Sequence, residues 1–234
     1  QYFVPPGTEL GFYETWKEKR LNWHLALGLG AENYKFHDHE KLAHYANAAA
    51  DIEFKFPFGF KELEGIHSRT DFDLSAHEKH SGRKLQYFDA ERNENYVPYV
   101  VETSVGLDRL FLAIFSNCLK DEVLEDGSER TVLSLPPPLA PVKAAILPLM
   151  KKDGLGEYGE KIFNDLKYDF NMIYEDKDSI GKRYRRQDAI GTPFCITIDH
   201  DSLTDNTVTL RDRDTMKQER VAVTDLRRIK DEKT

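Results

Sequence analysis

The sequence predicts an α+β region built on an antiparallel sheet, followed by a smaller α/β domain with a mixed sheet. Three observations predict it. Asp51 to Phe58 alternates charged with apolar residues, the period of a half-buried strand, and Phe60 to Ile66 follows Gly59 as an antiparallel neighbour. Leu135-Pro-Pro-Pro-Leu-Ala-Pro141 holds four prolines in seven residues, which continue neither a helix nor a central strand and make a stiff extended spacer. Beyond the spacer, strand and helix patterns alternate. The two parts read as residues 1–135 and 139–234.

The elements follow in order. Tyr2-Phe3-Val4 reads as a strand broken by Pro5-Pro6-Gly7. With Gln1 rather than Met in front of it, this strand is expected to be the tail of one that begins upstream. Glu9 to Leu27 reads as a helix, with Trp16, Leu21, Trp23 and Leu25 among charges and Gly28 and Gly30 ending it. Asn95 to Glu102 is a third strand, and an apolar helix follows, with Leu107, Leu110, Phe111, Ile114 and Phe115 at core spacing and Ser104 as its cap. In the second part, Val142 to Leu149, Asn171 to Tyr174, Phe194 to Ile198 and Thr207 to Leu210 read as strands. Glu157 to Phe170 reads as a helix with Ile162, Phe163, Leu166 and Phe170 on one side, Ser179 to Ile190 as a basic helix, and Val221 to Ile229 as the closing segment.

The 234 residues are 40% hydrophobic and 12% aromatic, enough for a real core, and carry a net charge of −8. Of the 33 Lys and Arg, 18 lie from Leu139 onward, where they balance 18 of the 41 Asp and Glu, so the first part carries the whole excess. Binding nucleic acid through bulk charge is excluded, and local basic patches would be required. Cys118 and Cys195 form neither a disulfide framework nor a thiolate zinc site, which fits a reducing compartment. No apolar run reaches membrane-spanning length, and no signal peptide is expected. No nucleophile elbow or Walker-type loop occurs. His39 and His44 stand five apart, whereas a zinc-protease helix needs four, and His77-Glu-Lys-His80 reads as solvated surface.

The run Val100 to Leu110 brings a carboxylate, a hydroxyl, a small-residue turn and an early helical arginine together. Glu102 and Ser104 can hold an amine while Arg109 stacks on a nucleobase; the same spacing also fits a capped core helix with two exposed charges. Glu62 and Glu64 are expected on one strand face, where two carboxylates repel unless a metal ion, an ammonium or an arginine lies between them, or both are solvated. With Arg69-Thr-Asp-Phe-Asp73 close behind, they suit a Mg²⁺–nucleotide site or an amine pocket. Lys182-Arg-Tyr-Arg-Arg186 is the local basic patch that the charge balance calls for, able to grip phosphates and stack on an unpaired base, or else an ordinary exposed helix. Arg211-Asp-Arg-Asp214 is expected to pair with itself at a strand end.

Glu102-Thr-Ser-Val-Gly-Leu-Asp-Arg109 resembles motif 3 of the class II aminoacyl-tRNA synthetases, in the form used by the glycyl-tRNA synthetase family. The resemblance extends through Arg20-Leu-Asn-Trp23, Leu42-Ala-His-Tyr45, Asp51-Ile-Glu53, Phe56-Pro-Phe-Gly59, Glu62-Leu-Glu-Gly65, Arg69-Thr-Asp-Phe-Asp-Leu74, Ser179 to Asp188 and Gly191-Thr-Pro-Phe-Cys-Ile196. It implies a partial class II catalytic core on an antiparallel sheet, then an anticodon-binding domain. It implies ATP and Mg²⁺ as cofactors, glycine and tRNA(Gly) as partners, a homodimer, and a cytoplasmic glycine–tRNA ligase activity. Glu62, Leu63, Gly106, Leu107, Asp108 and Arg109 would meet ATP, with Arg109 as the catalytic arginine against the adenine. Glu102, Thr103, Ser104, Val105 and Gly106 would form the glycine loop, and Lys182, Arg183, Tyr184, Arg185 and Arg186 would meet tRNA.

The sequence departs from the family pattern in two ways. Thr103 stands where proline is usual, which alters loop stiffness. Motif 1 and almost all of motif 2 are missing, so the resemblance is to the C-terminal part and implies that this polypeptide alone is inactive or nearly so. An alternative is a synthetase-like accessory subunit that binds nucleic acid without catalysis, although Glu102, Ser104 and Arg109 together argue against it. A sister synthetase for another small amino acid is a third reading.

Overall fold

The structure is a computed structural model and describes residues 1–228. The chain divides into two compact units, Gln1–Ser116 and Asn117–Thr234. In the first, Tyr2–Val4 is β1, Glu9–Ala26 is α1, and Tyr34–Asp38, Ala48–Phe56 and Gly59–Ser68 are β2, β3 and β4. Phe72–Ser81 is α2, Tyr87–Asp89 and Glu94–Tyr96 are β5 and β6, Tyr99–Val105 is β7, and Leu107–Cys118 is α3. The main sheet runs β1-β7-β4-β3-β2 with every pair antiparallel. Ile52, Phe54, Leu63, Ile66 and Val101 are buried in it, and α1 packs on β4, β7 and β3.

Three expectations change here. Asn95–Glu102 is not one strand: β6 pairs with β5 and β7 joins the main sheet, because Pro98 between them lacks the N–H a ladder needs. Ser104 does not cap α3, because it still belongs to β7, and the Gly106 carbonyl accepts the first helical bond from Leu110. Nor are all the expected apolar positions of that helix core. Ala113 and Cys118 are buried, whereas Leu107 and Phe111 remain 79% and 66% exposed.

In the second unit Leu119–Val123 and Glu129–Leu133 form the β8–β9 hairpin. Ala144–Pro148 is β10, Leu155–Leu166 is α4, Met172–Tyr174 is β11, Ile180–Ile190 is α5 and Phe194–Ile198 is β12. Ser202–Asp205 is α6, Thr207–Asp212 is β13 and Gln218–Ala222 is β14. The sheet order is β11-β10-β12-β13-β14, with β10 parallel to β11 and β12 and the remaining pairs antiparallel, so it is mixed as predicted. Alternation on β10 and β12 sends Ile146, Ile196 and Ile198 toward Leu155, Ile162 and Leu166 of α4. It sends Ala145, Leu147 and Cys195 toward Ile180 and Tyr184 of α5. With both faces covered, the strands read as continuous apolar runs. Gly191 ends α5 at φ 85°, where an added Cβ would lie 3.0 Å from the Leu133 carbonyl oxygen. Ile229, the end of the expected closing segment, lies outside the described residues.

The second unit therefore begins ahead of the proline spacer rather than after it. The hairpin belongs to it because Arg130 donates to Asp188 of α5 at 3.1 Å and to the Arg213 carbonyl at 2.9 Å, while Arg213 donates to the Leu135 carbonyl at 2.8 Å. Among the described residues no helix is long and apolar enough to cross a membrane.

Candidate active site

The first unit gathers its polar groups along β4. At one end Arg109, in the first turn of α3, donates from Nη1 to the Glu62 carbonyl at 2.6 Å and stands 3.5 Å from the Glu62 carboxylate. Both side chains are about half exposed (54% each). Phe56, Phe58, Lys61 and Leu112 complete a groove of about 340 Å³, and the Phe56 and Phe58 rings are stacked at 5.2 Å. An open aromatic and cationic groove of this kind admits a flat, polar ring.

Glu62 and Glu64 do not share a face. Ile52 pairs with Glu64 but the next residue, Glu53, pairs with Glu62, so a β-bulge leaves Leu63 as the extra residue. Leu63 and Glu64 turn inward and Glu62 outward. Each carboxylate meets a different arginine: Glu64 accepts from Arg20 and from His24, and Glu62 faces Arg109. Burial pushes the Glu64 carboxyl up, but the bonds from His24 and Arg20 outweigh it and hold it below its usual range.

Three residues further along β4, about 10 Å away at strand rise, lies a second polar group. Ser104 pairs with Gly65, and Glu102 with His67. Directly paired residues share a sheet face, so Glu102, Ser104 and His67 stand together, and Asp51 joins them as the other partner of Gly65. Thr103 pairs with Ile66 on the opposite face. Glu102 accepts from Arg69 at 3.2 Å and from the Gln1 amide at 2.8 Å, and Arg69 holds Asp73 at 2.7 Å. His39 and Asp51 meet at 2.9 Å. A Cβ added to Gly65 would meet His67 Cε1 at 3.0 Å, so this corner is closely filled. Burial pushes the His67 imidazole pKa down, against the pull of Asp51. Val105, Gly106, Leu107 and Asp108, the remaining expected residues, are exposed at the turn into α3.

In the second unit the five residues of the basic patch do not present one face. Arg183 is 1% exposed and spends its guanidinium on the carbonyls of Pro148, Glu175 and Leu149. Tyr184 bonds Thr197 at 2.6 Å and lies under the Arg211 guanidinium, and Arg186 pairs with Glu175 and Asp178. Arg185 reaches Ser128, leaving Lys182 as the exposed cation of the five. Arg183 and Tyr184 are thus parts of the domain core, because their helical positions fall on the side that packs on β10 and β12. Arg213 pairs with Asp214 as expected, but Arg211 crosses to Asp188, which it grips at 2.8 and 3.0 Å.

Residues 143–230 match the family described as anticodon binding domain. The chain is 55% identical to the glycine–tRNA ligase of Chlorobaculum tepidum over 94% of its own length and 47% of that protein. It is 52% identical to that of Macrococcus caseolyticus and 50% identical to that of Geobacillus thermodenitrificans, each over 100% of this chain and 50% of the relative. The chain is related along its length to glycine–tRNA ligases. It spans about half the length of the curated relatives it matches.

The residues to which sequence reasoning gave no role are the ones that hold the expected residues in place. Arg69 stood in a charge cluster and in one of the segments of the resemblance without a role, yet it is the partner of Glu102. Arg20 and His24 lie on α1 among many charges, and only the fold brings them to Glu64. The signal available in sequence was the one-turn spacing of Arg20 and His24 on a helix.

Proposed function

We propose that this chain is the part of a glycine–tRNA ligase that receives the adenine of ATP and the amine of glycine, joined to the domain that meets the anticodon region of tRNA(Gly). The observation that carries the reading is the pairing of two half-sites on one strand: Arg109 on Glu62 at one end of the β4 segment, and Glu102 with Ser104 across from His67 and Gly65 at the other. The first unit is then a partial class II catalytic core.

Arg109 would lie against the adenine ring, with Glu62, Leu63, Gly106, Leu107 and Asp108 bordering the nucleotide. Glu102 would keep one oxygen on Arg69 and offer the other, now on the Gln1 amide, to the glycine ammonium, assisted by the Ser104 hydroxyl. Thr103 and Val105 complete that loop. Glycine offers no side chain to grip, so selectivity must come from excluding a Cβ, and the crowded corner at Gly65 and His67 suits that task.

The reaction has two steps. The glycine carboxylate attacks the α-phosphorus of ATP and pyrophosphate leaves. A ribose hydroxyl at the tRNA terminus then attacks the adenylate carbonyl and AMP leaves. A carboxylate needs no base at neutral pH, so the protein positions reactants and offsets charge. Mg²⁺ would arrive with the nucleotide phosphates, with Glu62 as one available carboxylate. Among the described residues no three acidic, imidazole or thiol side chains converge to cage a metal unaided. We place Lys182 and Arg185 at the tRNA surface, and the enzyme in the cytoplasm as a homodimer.

Glycine-dependent ATP–pyrophosphate exchange tests the reading. The full-length protein carrying this chain is expected to show it with glycine and not with alanine, serine or proline, and this polypeptide alone is expected to show little. Exchange driven equally by alanine or serine would overturn the glycine assignment.

A further inference from the structure

The Glu64 carboxylate is fully buried and accepts three hydrogen bonds, from Arg20 Nε at 2.6 Å, Arg20 Nη2 at 3.0 Å and His24 Nε2 at 2.7 Å. His24 is fully buried as well, and the Arg20 guanidinium also covers the Trp23 ring at 4.6 Å. Stability alone does not account for such a group, because well-packed apolar residues of similar volume commonly serve at least as well as a buried ion pair. Its location supplies another account. Glu64 is the last residue of regular β3–β4 pairing before the bulge, and the residue two positions earlier is Glu62, whose carbonyl receives Arg109. A slip of one residue here would turn Glu62 inward and Leu63 outward. The groove would then lose both its carboxylate and the acceptor that holds its arginine.

We propose that Arg20, Glu64 and His24 are positioning residues for the nucleotide groove: they pin β4 at the bulge, which keeps Glu62 facing outward and Arg109 at a fixed height beside Phe56 and Phe58. The inference rests on the reading of that groove as the adenine site. It assigns α1, far from any reacting atom in sequence, a share in ATP affinity.

The test compares Glu64→Gln, Arg20→Lys and Arg109→Ala in the full-length protein by glycine-dependent exchange, with hydrogen exchange of the Glu62–Gly65 amides and thermal melting alongside. Glu64→Gln is expected to raise the KM for ATP about tenfold and the KM for glycine less than about twofold, with faster exchange at those amides. Arg20→Lys keeps the charge but loses the fork, and should shift both readouts in the same direction by less. Gly191→Ala, which strains the second unit, is the control for lost stability and should leave the KM for ATP unchanged. Should Glu64→Gln fail to fold, Arg20→Lys decides, since that side chain is one-fifth exposed (21%). A lower melting temperature with an unchanged KM for ATP in the folded triad variants would overturn the inference while leaving the groove assignment intact. An unchanged KM for ATP in Arg109→Ala would overturn the groove assignment and this inference with it.

Discussion

Arg109 is bound to the backbone of Glu62 more closely than to its side chain: the carbonyl oxygen lies 2.6 Å from Nη1, the carboxylate 3.5 Å. The ion pair is half exposed, and such pairs are worth little. The carbonyl bond, by contrast, is set by the bulge and would survive loss of the carboxylate.

Arg109→Ala is therefore expected to lower kcat/KM for ATP by at least about tenfold, the scale of one stacked guanidinium, while stability changes by no more than about 0.5 kcal/mol. Glu62→Ala should cost less in ATP use, because Arg109 keeps its main anchor. Exchange kinetics with a melting curve for each variant check both, and equal losses of ATP use and tRNA binding in Arg109→Ala would contradict the assignment.

Asp188 is the shared anion of the second unit. It is fully buried and accepts from Arg211 twice and from Arg130 once. Asp188→Ala leaves the buried Arg211 guanidinium without a carboxylate and Arg130 with Glu122 alone, and should cost about 3–5 kcal/mol of that unit's stability. Urea unfolding followed by circular dichroism would measure it.

Acid should act in two stages. His67 is held below its ordinary value of 6.5 by burial, so its contribution is present above pH 6.5 and is lost as pH falls toward its folded value. Glu64 lies below its ordinary 4.5, so its contribution is present above that pH and disappears only on further acidification. His67→Gln should flatten the part of the stability profile that falls away just below pH 6.5, and Glu64→Gln the part below about pH 4.5. Urea midpoints across that range would show each slope.

Lys182 and Arg183 are neighbours with opposite expected behaviour. Lys182→Ala should leave the melting temperature unchanged, weaken tRNA binding and lower the salt slope by about one if it meets a phosphate. Arg183→Ala frees the carbonyls of Pro148, Leu149 and Glu175 from a buried donor and should lower the melting temperature first. Filter binding at several salt concentrations separates the two.

Much of the fold was legible in local patterns. The β3–β4 hairpin, α4 and the central strands of the mixed sheet follow from periodicity, while α1 was legible from the Pro and Gly breakers that bound it and α5 from its basic run. The short or polar elements, β2, α2 and the β8–β9 hairpin, were not read, because they carry no clear apolar period of their own. For the candidate site, Glu102, Ser104 and Arg109 were legible as chemistry, whereas Arg69 as the holder of Glu102 was not.

By itself the sequence determined which groups this protein can bring to bear: a carboxylate and a hydroxyl at alternating positions of one strand, an arginine one turn into the next helix, and a proline-rich break before an alternating domain. Alternation and helical spacing are properties of neighbouring residues, so they can be read without a fold. Only the tertiary structure decided that Glu62 faces outward while Glu64 is buried on Arg20 and His24, and that Arg183 and Tyr184 are core rather than surface. Those outcomes turn on a one-residue bulge and on which side of a helix meets a sheet, and both are set by partners distant in the chain.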